Sequence, residues 1–173
     1  MKKQYRTSVA AGVMCLMTGY LFSPTARAQD KDQAELAKAL QGVKTTLEQG
    51  LAASAGGGMP ISGKFEVEEG KLQLSVYTMK GDKFSEVIVD HKTGKVAKTE
   101  AITGGDDLAA AKAQSEAMAK AKRSLDAAAS AAAKENKGFR VVSVMPALKD
   151  GHPVADVTLV KGEEWKTVSE KLE

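Results

Sequence analysis

The side chains with the greatest chemical potential in this chain are two histidines, His91 and His152. Each has an acid close by, Asp90 before the first and Asp150 two residues before the second. Together they could hold a metal ion only if folding joined the two segments, because neither has the tight ligand spacing of a structural site. A Ser-His-Asp hydrolase is no better supported, since no G-x-S-x-G stretch exists to present a serine. The Gly-rich stretches fail as phosphate loops. "GGGMP" at 56–60 leads into a strand, and "TGGDD" at 103–107 opens a helix with two acids that would repel a phosphate. The acid pairs Glu68-Glu69, Asp106-Asp107 and Glu163-Glu164 suit solvated faces. Tyr77 and Trp165 could anchor a partner, although burial preference favours Trp165 in the core. No catalytic, cofactor-binding or metal-ligating residue is assigned, and the sequence predicts a protein that is not an enzyme and carries no cofactor.

The start of the chain bounds where it works. Lys2, Lys3 and Arg6 precede an uncharged apolar run at 9–22, followed by Pro24 and Ala26-Arg27-Ala28. This is the layout of a signal peptide over 1–28, with cleavage before Gln29. The run is shorter than the roughly 20 apolar residues a membrane span needs. The predicted localisation is therefore periplasmic or secreted, with no stable membrane span after cleavage. The leader holds four of the 25 Lys plus Arg, leaving 21 against 22 Asp plus Glu in the mature chain. A net charge near zero gives no reason to expect nucleic acid. The one cysteine, Cys15, lies in the leader. Lipid attachment there is disfavoured by Met14, because that position requires a small residue. The mature protein must then fold without disulfides in a compartment that permits them.

The rest of the chain alternates helix and sheet. Leu36, Leu40, Val43, Leu47 and Leu51 recur at helical spacing and predict one helix over 29–55, weakened by Gly42 and Gly50. Strands follow at 64–68, 72–76 and 84–90, and an edge strand at 95–101, joined by short Gly turns into an antiparallel meander. An Ala-rich stretch at 108–134 predicts a second helix, with Asp106 or Asp107 as its N-cap and a break near Ser124. Its basic residues, Lys112, Lys120, Lys122 and Arg123, stand among small alanines, which favours close helix-to-sheet packing over a membrane-surface role. Three more strands are expected at 139–145, 154–161 and 164–168.

The two meanders repeat each other. Gly70 and Gly151, Lys80-Gly81 and Lys161-Gly162, Val76 and Val157, Phe84 and Trp165, and Val87 and Val168 all match at an offset of 81 residues. "TLEQGLAASA" from Thr46 and "SLDAAASAAA" from Ser124 match at 78, a difference absorbed in the Gly-rich loop. The predicted fold class is α+β: two tandem units, 29–103 and 104–173, each an Ala-rich helix on a small antiparallel β-meander of three to four strands.

This pattern, closing on "IVDHKTGKV" with Asp90, Thr93 and Gly94 in a D-x-x-T-G hairpin, resembles the PepSY domain family. The second unit departs from it, because Lys171 stands where Asp90 would fall. The resemblance implies a non-catalytic, exported protein-interaction module with an unknown protein partner, a peptidase that it restrains or inhibits being one candidate. It carries over no catalytic residue. The alternative is a periplasmic ligand- or metal-sensing protein that uses the groove between the units.

Overall fold

The computed structural model describes residues 24–173, so the expected leader lies almost wholly outside the described residues. The fold is α+β: four helices and one seven-stranded antiparallel sheet. The chain runs α1 (Pro24–Ala39), a 3-10 turn (Leu40–Gly42), α2 (Leu47–Ser54), a 3-10 turn (Ala55–Gly57), β1 (Met59–Glu68), β2 (Lys71–Lys80), β3 (Lys83–Val89) and β4 (Val96–Ile102). It continues with α3 (Gly105–Lys120), α4 (Leu125–Glu135), β5 (Arg140–Lys149), β6 (His152–Lys161) and β7 (Glu164–Lys171).

The single helix expected over 29–55 is instead two. Thr46 starts a fresh helix with a capping box: its hydroxyl accepts from the Gln49 N–H at 3.2 Å, and the Gln49 side chain accepts from the Thr46 N–H at 2.8 Å. Just upstream, the N–H groups of Lys44 and Thr45 donate to the His91 carbonyl, which holds the break open. The break expected at Ser124 is present, with the Ser124 hydroxyl accepting from the Ala127 N–H at 3.2 Å. The cap of α3 is Gly104 in extended conformation rather than Asp106 or Asp107, which both fall in the first turn. There they still favour the positive helix end. β1 begins at Met59, five residues before the expected start, because a bulge between Pro60 and Ser62 admits the proline at the strand end.

The strand order is β4-β3-β2-β1-β5-β6-β7. The meanders do not form two separate sheets; β1 pairs β5 through Gly63–Val144 and Lys64–Ser143. Hairpin turns set the register on both sides. Glu69-Gly70 and Asp150-Gly151 all have positive φ, the requirement of a tight two-residue turn that follows the sheet twist.

Leu74 and Val76 lie on one face of β2 and meet α2, which also packs Leu47 and Leu51 over Gly63. α4 packs beside α2 and presents Ala128, Ala129 and Ala132 to the core, all fully buried. Alanine lets the helix approach the sheet closely, as its composition implied. Ser75 and Tyr77 alternate with Leu74 and Val76 and so point to the opposite face. There α3 crosses: Tyr77 donates to Asp107 at 2.7 Å, and Ser62 donates to Gln114 at 2.8 Å. The centre of the sheet is thus covered on both faces, by an apolar helix pair on one and a polar seam on the other.

Candidate functional site

The sequence-designated groups do not assemble. His91 follows β3 and His152 opens β6, with β2, β1 and β5 between those strands. The His91 ring is half-buried, and its Nδ1 has no partner among the described residues. His152 is exposed and its Nδ1 lies 2.6 Å from Glu173. Among the described residues no group of three His, Cys, Asp or Glu side chains is placed to hold a metal. Asp90 shapes its own turn. Its carboxylate accepts from the N–H groups of Lys92 and Thr93 and from the Thr93 hydroxyl, at 2.9, 2.7 and 3.0 Å. Those bonds hold its pKa below the ordinary carboxylate value.

The aromatic candidates are used in packing. Tyr77 is buried under α3, and burial together with the Asp107 carboxylate pushes its phenol pKa well above the ordinary value. It is not available as an exposed anchor. Trp165 takes the expected register position, opposite Val160 as Phe84 is opposite Met79. Phe84 is buried there, whereas Trp165 stays half-exposed against the rim of the core. Of the basic residues on the Ala-rich stretch, Arg123 pairs with Glu170 at 3.0 Å, and Lys120 donates to the Gly151 carbonyl.

Three of the open surfaces among the described residues bear on function. The first is the β4 edge. Residues Val96 to Ala101 are all exposed, and β4 pairs with β3 on one side only. Its outer N–H and C=O groups form the kind of row that accepts another strand. The strand at the other edge, β7, differs in being packed by α4.

The second is a cleft of about 700 Å³ between the end of α1 and the β5 start, closed by the β6–β7 turn. Lys38, Arg140 and Lys161 line it against one acid, Glu163. Arg140 is anchored by donation from Nη2 to the Val43 carbonyl at 3.3 Å, while its Nη1 is buried without an acceptor among the described residues. Beside the cleft the Phe139 ring carries the Lys161 and Lys166 ammonium groups at 5.8 and 4.3 Å.

The third is a cleft of about 360 Å³ between α2, the β1 start and the α3–α4 junction, with Leu51, Met59, Met118 and Leu125 in its lining. The sequence suggests a groove between the two units but identifies no residue of either cleft, since the linings join positions about a hundred apart in one case and about sixty in the other. The visible signal was Arg140, a basic residue entering a strand where the repeat has Met59.

Comparison with known proteins adds little. No family model matches the chain, and no curated protein does. Among solved structures it is similar to a candidate lipoprotein of Clostridium difficile 630, with a TM-score of 0.40 and 12% identity over 66% of this chain and 75% of that one. A likeness of that strength carries no argument about family or role. No described helix is long and apolar enough to cross a membrane.

Proposed function

We propose that this chain is an exported, non-enzymatic interaction module built from two tandem PepSY-like units, 29–103 and 104–173, and that it takes an extended segment of a protein partner along β4. The exported location rests on the leader pattern over 1–28. Several features recur at the spacing of the sequence repeat and support the tandem reading. Strand bulges fall at 61 and 142, and positive-φ turn pairs at 69–70 and 150–151. The N–H groups of Lys44 and Thr45 meet the His91 carbonyl, and those of Lys122 and Arg123 meet the Leu172 carbonyl.

The observation that carries the functional reading is the β4 edge itself. Six consecutive exposed residues on a strand paired along one side only offer main-chain pairing without any change of fold. An envelope peptidase is one partner that presents an extended segment. Proline substitution tests the reading. Lys98 and Thr99 are neighbours, so one N–H points outward and the other toward β3. Proline at the outward position leaves the sheet intact and removes a docking donor. Affinity capture from an exported-protein extract should recover a partner with the wild-type chain and lose it with the folded proline variant. Retention of every captured protein by that variant would defeat the edge reading.

A further inference from the structure

We infer that the cleft between α1 and the β5 start is a binding site for an organic carboxylate with an apolar body. The inference is independent of the β4 reading and concerns a different surface.

Charge is the first ground. Lys38, Arg140 and Lys161 line the cleft with Glu163 as the single acid, and none of the three cations forms an ion pair with a carboxylate among the described residues. The Arg140 side chain is half-buried and tethered at one end of its fork by the Val43 carbonyl. The other end, Nη1, is buried with no acceptor among the described residues. Arg140 lines the cleft, and a carboxylate oxygen suits a guanidinium. The Lys161 side chain lies over Gly138 beside the cleft, its Cε 3.6 Å and its Nζ 3.7 Å from where a Cβ would sit.

Shape and composition are the second ground. Leu40 and Val160 are buried core residues that form part of the wall, so a ligand body would meet apolar surface beside the cations. A volume of about 700 Å³ falls within the usual range for small-molecule sites, about 300–1,000 Å³. The Val43 carbonyl, just after the turn ending at Gly42, accepts from Arg140 and fixes the side chain at the cleft.

The third ground is position in the repeat. Leu40 and Arg140 hold the positions in the first cleft that Met118 and Met59 hold in the second, at the repeat spacings of 78 and 81. A guanidinium thus stands on the first cleft where the repeat has a thioether, which adds a positive charge to its wall.

The carboxylate could belong to a free amphipathic acid or to a polypeptide C-terminus, and the test separates them. The probes are octanoate, octylamine, inorganic phosphate, and an N-acetylated tripeptide ending in leucine as the free acid and as the amide. Titration of the mature protein by calorimetry, with chemical-shift mapping, should give saturable binding of octanoate, of the free-acid peptide, or of both. Octylamine and the amide should not bind. Arg140→Lys should weaken binding about tenfold, because an ammonium cannot replace the fork. Should that variant fail to fold, the exposed pair Lys38→Met with Lys161→Met provides the same test and should weaken binding by about tenfold. Octanoate alone would identify a free acid as ligand, and the peptide alone a chain end. The inference falls if neither carboxylate binds at millimolar concentration, if phosphate binds as tightly as octanoate, or if binding is unmoved by the substitutions.

Discussion

Gly50 sits in the middle of α2, where alanine would ordinarily stabilise a helix by about 0.8–1 kcal/mol. The packing reverses that expectation. A Cβ at position 50 would lie 2.5 Å from Leu74 Cδ2 and 3.0 Å from its Cγ. Carbon contacts prefer roughly 3.5–4.0 Å, so the overlap is about 1 Å. Leu74 is fully buried, and three of its side-chain carbons lie within 3.3 Å of that Cβ, so the whole side chain would have to shift. Overpacking of this kind costs about 1–3 kcal/mol. Set against the helix gain, Gly50→Ala should be net destabilising by about 1 kcal/mol. Gly42 is the control: an added Cβ there meets nothing within 4 Å and the φ is not positive, so Gly42→Ala should stabilise by about 0.4–1 kcal/mol through the unfolded chain. Urea unfolding reads both. At slopes of about 1–3 kcal/mol/M, the midpoints should move in opposite directions by a few tenths of a molar or more. Adding Leu74→Val to Gly50→Ala should recover part of the loss, giving a favourable coupling in a double-mutant cycle. If Gly50→Ala stabilises the protein as Gly42→Ala does, or shows no coupling to Leu74→Val, the close approach of α2 to β2 is not what fixes this glycine.

Other expectations follow from single contacts. Thr46→Ala removes the capping box of α2 and should cost about 1 kcal/mol in urea unfolding, with Ser124→Ala at α4 similar or smaller. Tyr77 should resist ionisation in a spectrophotometric titration while the protein stays folded. Because its pKa is raised in the fold, the stability it contributes is complete below about 10 and is lost as the pH climbs from there toward the raised value. Tyr77→Phe should remove that alkaline loss. Asp90 has the opposite sign. Its carboxyl is lowered in the fold, so its contribution is present above the ordinary carboxylate range and disappears as the pH falls through the lower folded value. Asp90→Asn should flatten that part of an acid unfolding profile, and an unchanged profile would mean the turn does not depend on the charge.

How much could be read in the residues depended on distance along the chain. The hairpins were legible because each turn announces itself locally, as Glu69-Gly70 and Asp150-Gly151 do. The break at Ser124 was legible for the same reason. The break at 43–46 was not, because Leu36 to Leu51 keep helical spacing straight through it; the Thr46–Gln49 pair was the overlooked signal. β4 could be recognised as an edge strand, since it has no apolar face to bury. The join of β1 to β5 leaves no mark on either strand, because antiparallel pairing can be written by any alternating sequence. The crossing of α3 onto the other face was hidden too. Its contacts, Tyr77 to Asp107 and Ser62 to Gln114, use polar groups that read as solvent-facing when seen in order. The cationic cleft depends on Lys38, Arg140 and Lys161, whose neighbourhood only the fold creates.

The short ladder between β1 and β5 bears on how the molecule assembles. Every other pairing in the sheet joins strands adjacent in the chain and can zip from its own turn, on the microsecond scale of hairpin closure. Joining Gly63 to Val144 must close a loop of some eighty residues before any contact repays it. That step should set the folding rate, and substitutions at Gly63 and Val144 should slow refolding more than substitutions inside either meander.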